Sequence, residues 1–310
     1  MQEKKQSILY KILRFFVYLF YRRPTIVGEE NLPEEPCILV GNHTQMNGPI
    51  VGELYLPGHK YIWCAGQLLH WNEAPDYAFT DFWSFHPKWT HWFFRLLSYL
   101  VTPLAVCLFN NAHTIPVYHD SRLLTTLKLS LQRLQEGYNI LIFPEYNKKY
   151  NHVLYDFQDR FIDLAKLYYK KTGKALQFVP LYIAPNLHQS HICEPIRFDP
   201  DAPIAEERER IKQYLMDSIT AISYVSMALG ALLLIAGFIV TMLNIPVEKR
   251  ANKLALKMMR EYGLANGEEL QVMKGVYDAY ILSYIAQFIL EVLRIVQWIL
   301  EVAIKLKKED

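Results

Sequence analysis

The run "ILVGNHTQMNGP" (residues 38–49) carries an apolar stretch into a turn that bears His43. An imidazole presented just past a strand can take a proton from a hydroxyl at neutral pH, because its ordinary pKa is about 6.5. It does so efficiently only if its tautomer and orientation are fixed, and the six residues after His43 contain no carboxylate to fix them. Asn47 and Gln45 are near enough in sequence to hydrogen-bond the ring, but neither stabilises its cation as a carboxylate would. Glu53, on a helix expected to begin at Pro49, is the nearest acidic substitute; a group distant in sequence is the other. The plain alternative is a turn histidine packed under the next helix. Glu145, just past "LIF", would either bond an acceptor hydroxyl or cap its turn. Lys148, Lys149 and Arg122 supply cations able to hold a phosphate, although lysine lacks the guanidinium fork and Lys149 reads more simply as part of a solvated loop. His188 and His191 have H-x-x-H spacing without a third ligand nearby, so a polar loop is expected there and no metal site.

Four segments occur in order: "GNHTQMNGP" (41–49), "HTIPVYHDSR" (113–122), "IFPEYNKKY" (142–150) and "FVPLYIAP" (178–185). Their order and spacing resemble the sequence blocks of the glycerolipid acyltransferase superfamily, which includes the lysophosphatidate acyltransferases, over roughly residues 30–200. The resemblance implies a general-base histidine oriented by an aspartate in N-H-x-x-x-x-D-P. It also implies an arginine after I-P-V-x, an F-P-E-G-T-R block that holds the acceptor phosphate, and a V-P strand. Asn42, His43 and Pro49 fit the first block, but Gly48 stands at the aspartate position. Ile115, Pro116 and Val117 fit the second, with His119 at the arginine position and Arg122 three residues on. Phe143, Pro144 and Glu145 fit the third, followed by Tyr146, Asn147 and Lys148; Val179 and Pro180 fit the fourth. The implied activity is transfer of a fatty acyl group from acyl-CoA or acyl carrier protein to a lysophospholipid or glycerol-phosphate-like acceptor, with no further cofactor. His43 would be the catalytic base, supported by Asn47 or Glu53, with Glu145, Lys148, Arg122 and His119 on the substrate. The rival reading is a lipid-binding or tethering protein that kept the fold and lost the chemistry.

Apolar runs alternate with helical patterns over residues 36–198, which predicts an α/β fold with a mixed sheet flanked by helices. Strands are expected at 37–41, 59–66, 113–118, 139–143, 176–183 and 194–198. Helices are expected within 120–137, capped by Asp120 or Ser121, within 155–174, closing at Gly173, and over 204–219. The domains read as residues 1–25, an interfacial amphipathic helix; 26–218, the α/β domain; and 219–310, a pair of membrane helices joined by a basic segment. Residues 1–23 hold six basic side chains against one acid among helically spaced apolar residues, which suits a helix lying on an anionic leaflet. The aromatic stretch 71–97 suits an acyl-chain groove or a lipid-facing patch, with core packing as the alternative for several of its residues.

The 310 residues are 52% hydrophobic with a net charge of +2, which argues against disorder and against a dedicated nucleic-acid binder. Four widely spaced cysteines without a C-x-x-C pair read as reduced thiols in a cytosolic compartment. Residues 218–247 contain no charge, long enough to cross a bilayer, and a second apolar run follows in which Glu291 and Arg294 are spaced to pair. The expected location is therefore the cell membrane with the α/β domain on the cytoplasmic side. Six Lys and Arg between the two spans oppose that topology, because basic loops prefer the cytoplasm. Residues 238–297 resemble the membrane tail of a bacterial family of membrane-embedded zinc metallopeptidases, chiefly in "IPVEKRANKLAL" and "GVYDAYILSYIA". Its H-E-x-x-H signature is absent from the chain, so the tail reads as a transplanted anchor joined near residues 218–224.

Overall fold

The structure, a computed structural model, describes residues 6–118, 120, 122–151 and 153–307. In chain order the elements are α1 (Ile8–Phe20), β1 (Thr25–Val27), β2 (Cys37–Gly41), α2 (Asn47–Leu54), β3 (Lys60–Ala65), α3 (Ala74–Ala78), α4 (His91–Asn111), β4 (Thr114–Val117), α5 (Leu123–Gln135), β5 (Asn139–Ile142), β6 (Glu145–Lys149), β7 (Tyr155–Phe157), α6 (Asp163–Thr172), β8 (Gln177–Ala184), β9 (Gln189–Ile192), β10 (Ile196–Arg197), α7 (Ile204–Glu261) and α8 (Gly267–Lys307). The main sheet runs β1-β9-β8-β2-β5-β3-β4, with β10 also paired to β8. The five strands from β8 to β4 are parallel, whereas β9 and β10 meet β8 antiparallel, so the sheet is mixed. All five residues of "CILVG" are buried, as a central parallel strand covered on both faces requires.

Period-two alternation splits the core. Cys37, Leu39 and Leu141 face α2 through Val51. Ile38, Val40, Ile140 and Ile142 face Leu134 of α5, Leu164 and Tyr168 of α6, and Ile211 and Leu215 at the start of α7. The direction of each crossover explains the split. From β2 the chain moves through α2 toward β3, whereas from β5 it moves through α6 the opposite way to β8. Right-handed crossovers in opposite directions put their helices on opposite faces, so a crevice opens beyond the carboxyl ends of β2 and β5. His43 and Glu145 sit at those two ends.

The chain divides into two compact units between Ser223 and Tyr224, inside α7. In the second unit, α7 ends at Glu261 and Gly263 turns in the left-handed region (φ 64°). Asn266 and Glu269 then start α8 with reciprocal bonds of 2.8 and 2.9 Å, a capping box. Tyr284 donates to Glu248 at 3.1 Å, and Arg294 pairs with Glu291 at 2.9 Å. Among the described residues, three helices are long and apolar enough to cross a membrane: Lys88–Asn111, α7 and Gly267–Gln297.

Several elements depart from the sequence expectations. The segment 155–174 starts as strand β7, and its helix begins only at Asp163. "HQSH" is not a loop: His188 turns in the left-handed region, and Gln189–Ile192 form β9. Polar β6, β7 and β9 lack the apolar run that identifies an inner strand. Helix α5 starts at Leu123 with Arg122 at the cap, and Asp120 accepts the Arg122 backbone N–H at 2.8 Å.

Candidate functional site

Asn42 follows β2 with a buried amide that acts as one more backbone rung. Its Nδ2 donates to the Ile183 carbonyl at 2.9 Å, and its Oδ1 accepts from the Ile183 N–H at 2.7 Å. The next residues reverse sharply: Thr44 and Gln45 have φ of 43° and 57°. A β-branched residue is costly there, so the turn persists only because its surroundings hold it. Glu145 is the main strut. Its Oε2 accepts from the His43 N–H at 2.7 Å and its Oε1 from the Tyr155 N–H at 3.3 Å. Burial pushes the Glu145 carboxyl above its ordinary pKa, and the two N–H bonds oppose that rise.

Helix α2 starts directly under this turn, with the Gly48 N–H bonded to the His43 carbonyl at 3.1 Å. A Cβ on Gly48 would press into that carbonyl oxygen and stand 2.9 Å from Cε1 of Phe143. Phe143 in turn packs edge-on against the His43 ring, centroids 5.3 Å apart. Position 48 therefore has no room for an aspartate unless the backbone moves.

The His43 ring faces a cavity of about 980 Å3 bounded by α1, α2, β3, the turn after α3, the end of α4 and the β6–β7 hairpin. Its wall is mostly apolar, with Leu13, Val17, Ile50, Leu54, Leu68 and Leu108 among the lining side chains. Burial holds the imidazole below its ordinary pKa, opposed by the charge of Asp81 and by the Gln45 backbone. His43 is thus neutral at neutral pH and can accept a proton.

The groups expected to assist it are engaged elsewhere. Asn47 donates to the Thr44 carbonyl at 3.1 Å and accepts from the Tyr21 hydroxyl at 2.9 Å, so it braces the turn and does not orient the ring. Glu53 lines the cavity but accepts from the Tyr10 hydroxyl at 2.8 Å and meets His113 Nδ1 at 3.3 Å. Although burial raises the Glu53 carboxyl, those bonds outweigh it and hold the pKa below the usual range. Arg122 is saturated by Asp120 and Glu73 at 2.8–3.2 Å and lies 3.9 Å above the Tyr118 ring. Lys148, 72% exposed, points toward Asp156 at 3.9 Å and does not line the cavity. His119 lies outside the described residues. Glu145 takes the turn-holding role of its two readings.

Two cavity residues escaped the sequence reading. Asp81 sits on a π-helical turn, Phe79–Trp83, that continues α3, and Tyr77 lies four residues before it. Burial, then the Asp81 charge, push the Tyr77 phenol up to about 12. Their i, i+4 spacing was the available signal, submerged in a run of aromatics. Among the described residues, no three His, Cys, Asp or Glu are grouped to share a metal ion.

Comparison with known proteins gives two findings. A family model described as a putative neutral zinc metallopeptidase matches residues 202–303. The match starts upstream of the expected 218–224 junction, at the head of α7, where Ile211, Leu215 and Met216 are buried in the core of the first unit. The matched segment contains no His or Cys, so its residues do not fit a zinc centre. Among solved structures, the 1-acyl-sn-glycerophosphate (LPA) acyltransferase PlsC from Thermotoga maritima is similar at 14% identity, with a TM-score of 0.42, over 69% of this chain and 78% of that one. No curated protein sequence matches the chain.

Proposed function

We propose that the chain is a membrane-associated acyltransferase that moves a fatty acyl group from a thioester to the hydroxyl of a lysophospholipid or glycerol-phosphate-like acceptor. The observation that carries this reading is the place of His43, at the crevice of a parallel sheet and on the wall of a large, mostly apolar cavity. His43 takes the acceptor's proton as the oxygen attacks the thioester carbonyl. The C–S bond then breaks, and the proton returns to the departing thiolate. The apolar wall holds the acyl chain out of water. Acyl-CoA or acyl carrier protein serves as donor, and the product feeds phospholipid synthesis.

The first unit meets the membrane through α1 and α4. Ile8, Phe15, Leu19 and Phe20 of α1 are exposed. Helix α4 is inverted: Trp92, Leu96, Tyr99, Leu100 and Leu104 form an exposed apolar stripe, while Ser98 and Thr102 are buried. Although α4 is long enough to span, the chain leaves β3 and returns to β4, its neighbour in the same sheet. No second spanning helix lies between Ala65 and α4, so α4 lies in the interface rather than across the bilayer. That leaves α7 and α8 as the spans.

The test is acyl transfer from acyl-CoA to lysophosphatidate by purified protein, beside His43→Ala; equal rates would sink the mechanism. A second reading, lipid binding without turnover, draws on Gly48, which excludes the orienting acid, and on Arg122, which its own carboxylates neutralise. Lysophosphatidate binding with no turnover, unchanged in His43→Ala, would support it.

A further inference from the structure

Helix α8 carries polar side chains to a depth where a bilayer holds no water. Tyr284 reaches Glu248, and Phe288 packs against Phe238 with ring centroids 5.1 Å apart, so α7 and α8 run antiparallel. Arg294, six residues past Phe288, therefore stands level with the turn of α7 six residues before Phe238. That turn is central in the uncharged run 218–247, roughly 20 Å along the helix from either end. Snorkelling relieves long cations near the ends of a span, not at such a depth. Arg294 Nη1 donates to Glu291 at 2.9 Å, yet the arginine side chain is 64% exposed. A guanidinium has five N–H donors, so one carboxylate oxygen leaves most of them for a partner outside this helix pair. The arginine is also part of a pattern. Tyr280, Gln287 and Arg294 recur every seven residues, Ser283 and Leu290 follow the first two by three, and all five are exposed. These are the a and d positions of a heptad seam, the spacing with which helices pair side by side. The face that α8 turns to α7 is a different one, on which Ile281, Ile285, Phe288 and Val292 are part-buried.

We propose that this seam is covered by a second copy of the chain, the two α8 helices pairing in parallel about a two-fold axis along the membrane normal. The stripe is complementary to itself. Copies inserted the same way round bring equal residues to equal depth, so Gln287 meets Gln287 of the partner subunit, and an amide carries both the donor and the acceptor that its image needs. Arg294 lies about one turn along the axis from Glu291 of the partner subunit, near enough for its free donors to take that carboxylate. Two arginines and two glutamates then close a neutral ring of charge-assisted hydrogen bonds. In lipid such polar contacts between helices favour association, because the hydrocarbon offers no competing partner. The inference rests on α7 and α8 spanning the bilayer and not on acyl transfer.

The experiment places the full-length chain in phosphatidylcholine liposomes at low protein density and compares wild type, Leu290→Cys and Ile289→Cys under mild oxidation. Ile289 is equally deep and also exposed, but it lies about 100° round the helix from Leu290. Leu290→Cys should give a covalent dimer well above the background from the four native cysteines, and Ile289→Cys should not. Energy transfer between amino-terminally labelled copies then gives the association constant. Gln287→Leu should lower it by about 3- to 20-fold, the effect of one interhelical hydrogen bond in lipid, and Arg294→Leu by at least as much. Equal cross-linking at the two positions, or association that neither substitution weakens, overturns the proposal. So does a monomer, and a membrane-impermeant maleimide separates its two causes. Rapid reaction of the Leu290→Cys thiol would show α8 lying in the interface with its stripe in water, whereas a protected thiol would assign the stripe to a different partner. Acyl transfer enters none of these readouts, so the dimer stands or falls apart from the catalytic reading.

Discussion

Gly48 shows why a missing functional group can be a packing requirement as well as a loss. Helix α2 abuts the His43 carbonyl and the Phe143 ring so closely that even a Cβ at position 48 collides with both. Gly48→Asp should therefore destabilise the protein by about 1–3 kcal/mol, the usual cost of overpacking, and should not raise activity. Denaturant melts and acyl-transfer rates on the same preparation check both parts; a gain in rate would mean that the turn can reopen to accept the acid. His43 itself was legible in the sequence, because a histidine after a buried apolar run marks the end of an inner strand. What surrounds it was not. The Glu145 to His43 contact joins residues 102 apart, so it could not be read from local spacing. Asn47 and Glu53 were plausible partners by proximity, yet their side chains bond Tyr21 and Tyr10, residues nearer the amino terminus that no pattern links to them.

At the scale of elements, the inner strands were legible because parallel strands covered on both faces must be continuously apolar. Strand β9, second from the sheet edge, and the β6–β7 hairpin carry polar side chains and were hidden for the same reason. Several bonds tie helix α1 to the sheet domain, among them the Ser7 N–H to Asn111 Oδ1 at 2.7 Å, the Tyr10 hydroxyl to the part-buried Glu53 and the Tyr18 hydroxyl to the Leu54 carbonyl at 3.3 Å. A hydrogen bond to a charged group contributes about 1.5–3 kcal/mol, so Tyr10→Phe should lower stability by that order, measured by denaturant unfolding. No change would mean that the Tyr10–Glu53 bond adds nothing to holding α1 against the cavity. The exposed stripe on α4 calls for a second measurement. Spin labels at positions 96 and 100 in liposomes should be shielded from a water-soluble relaxant and lie near the headgroup boundary. A depth at the bilayer centre would contradict an interfacial α4.

At the scale of the whole chain, the zinc metallopeptidase match begins inside the first unit and runs through the second, whereas His43 and the cavity it lines belong to the first. The segment that matches the zinc metallopeptidase model has neither His nor Cys, so chelators should leave any acyl transfer unchanged. Loss of activity that zinc restores would show that the protein holds a zinc ion its activity needs. If His43 works as a neutral base, the pH–rate profile of acyl transfer must show it. A base must be deprotonated to act, so the rate should fall as pH drops through the His43 pKa. Burial depresses that pKa, so the limb should lie on the acid side of an ordinary imidazole titration. His43→Ala should lose about 10²–10⁴-fold in rate and lose the limb with it. A profile that is the same in wild type and His43→Ala would contradict the account.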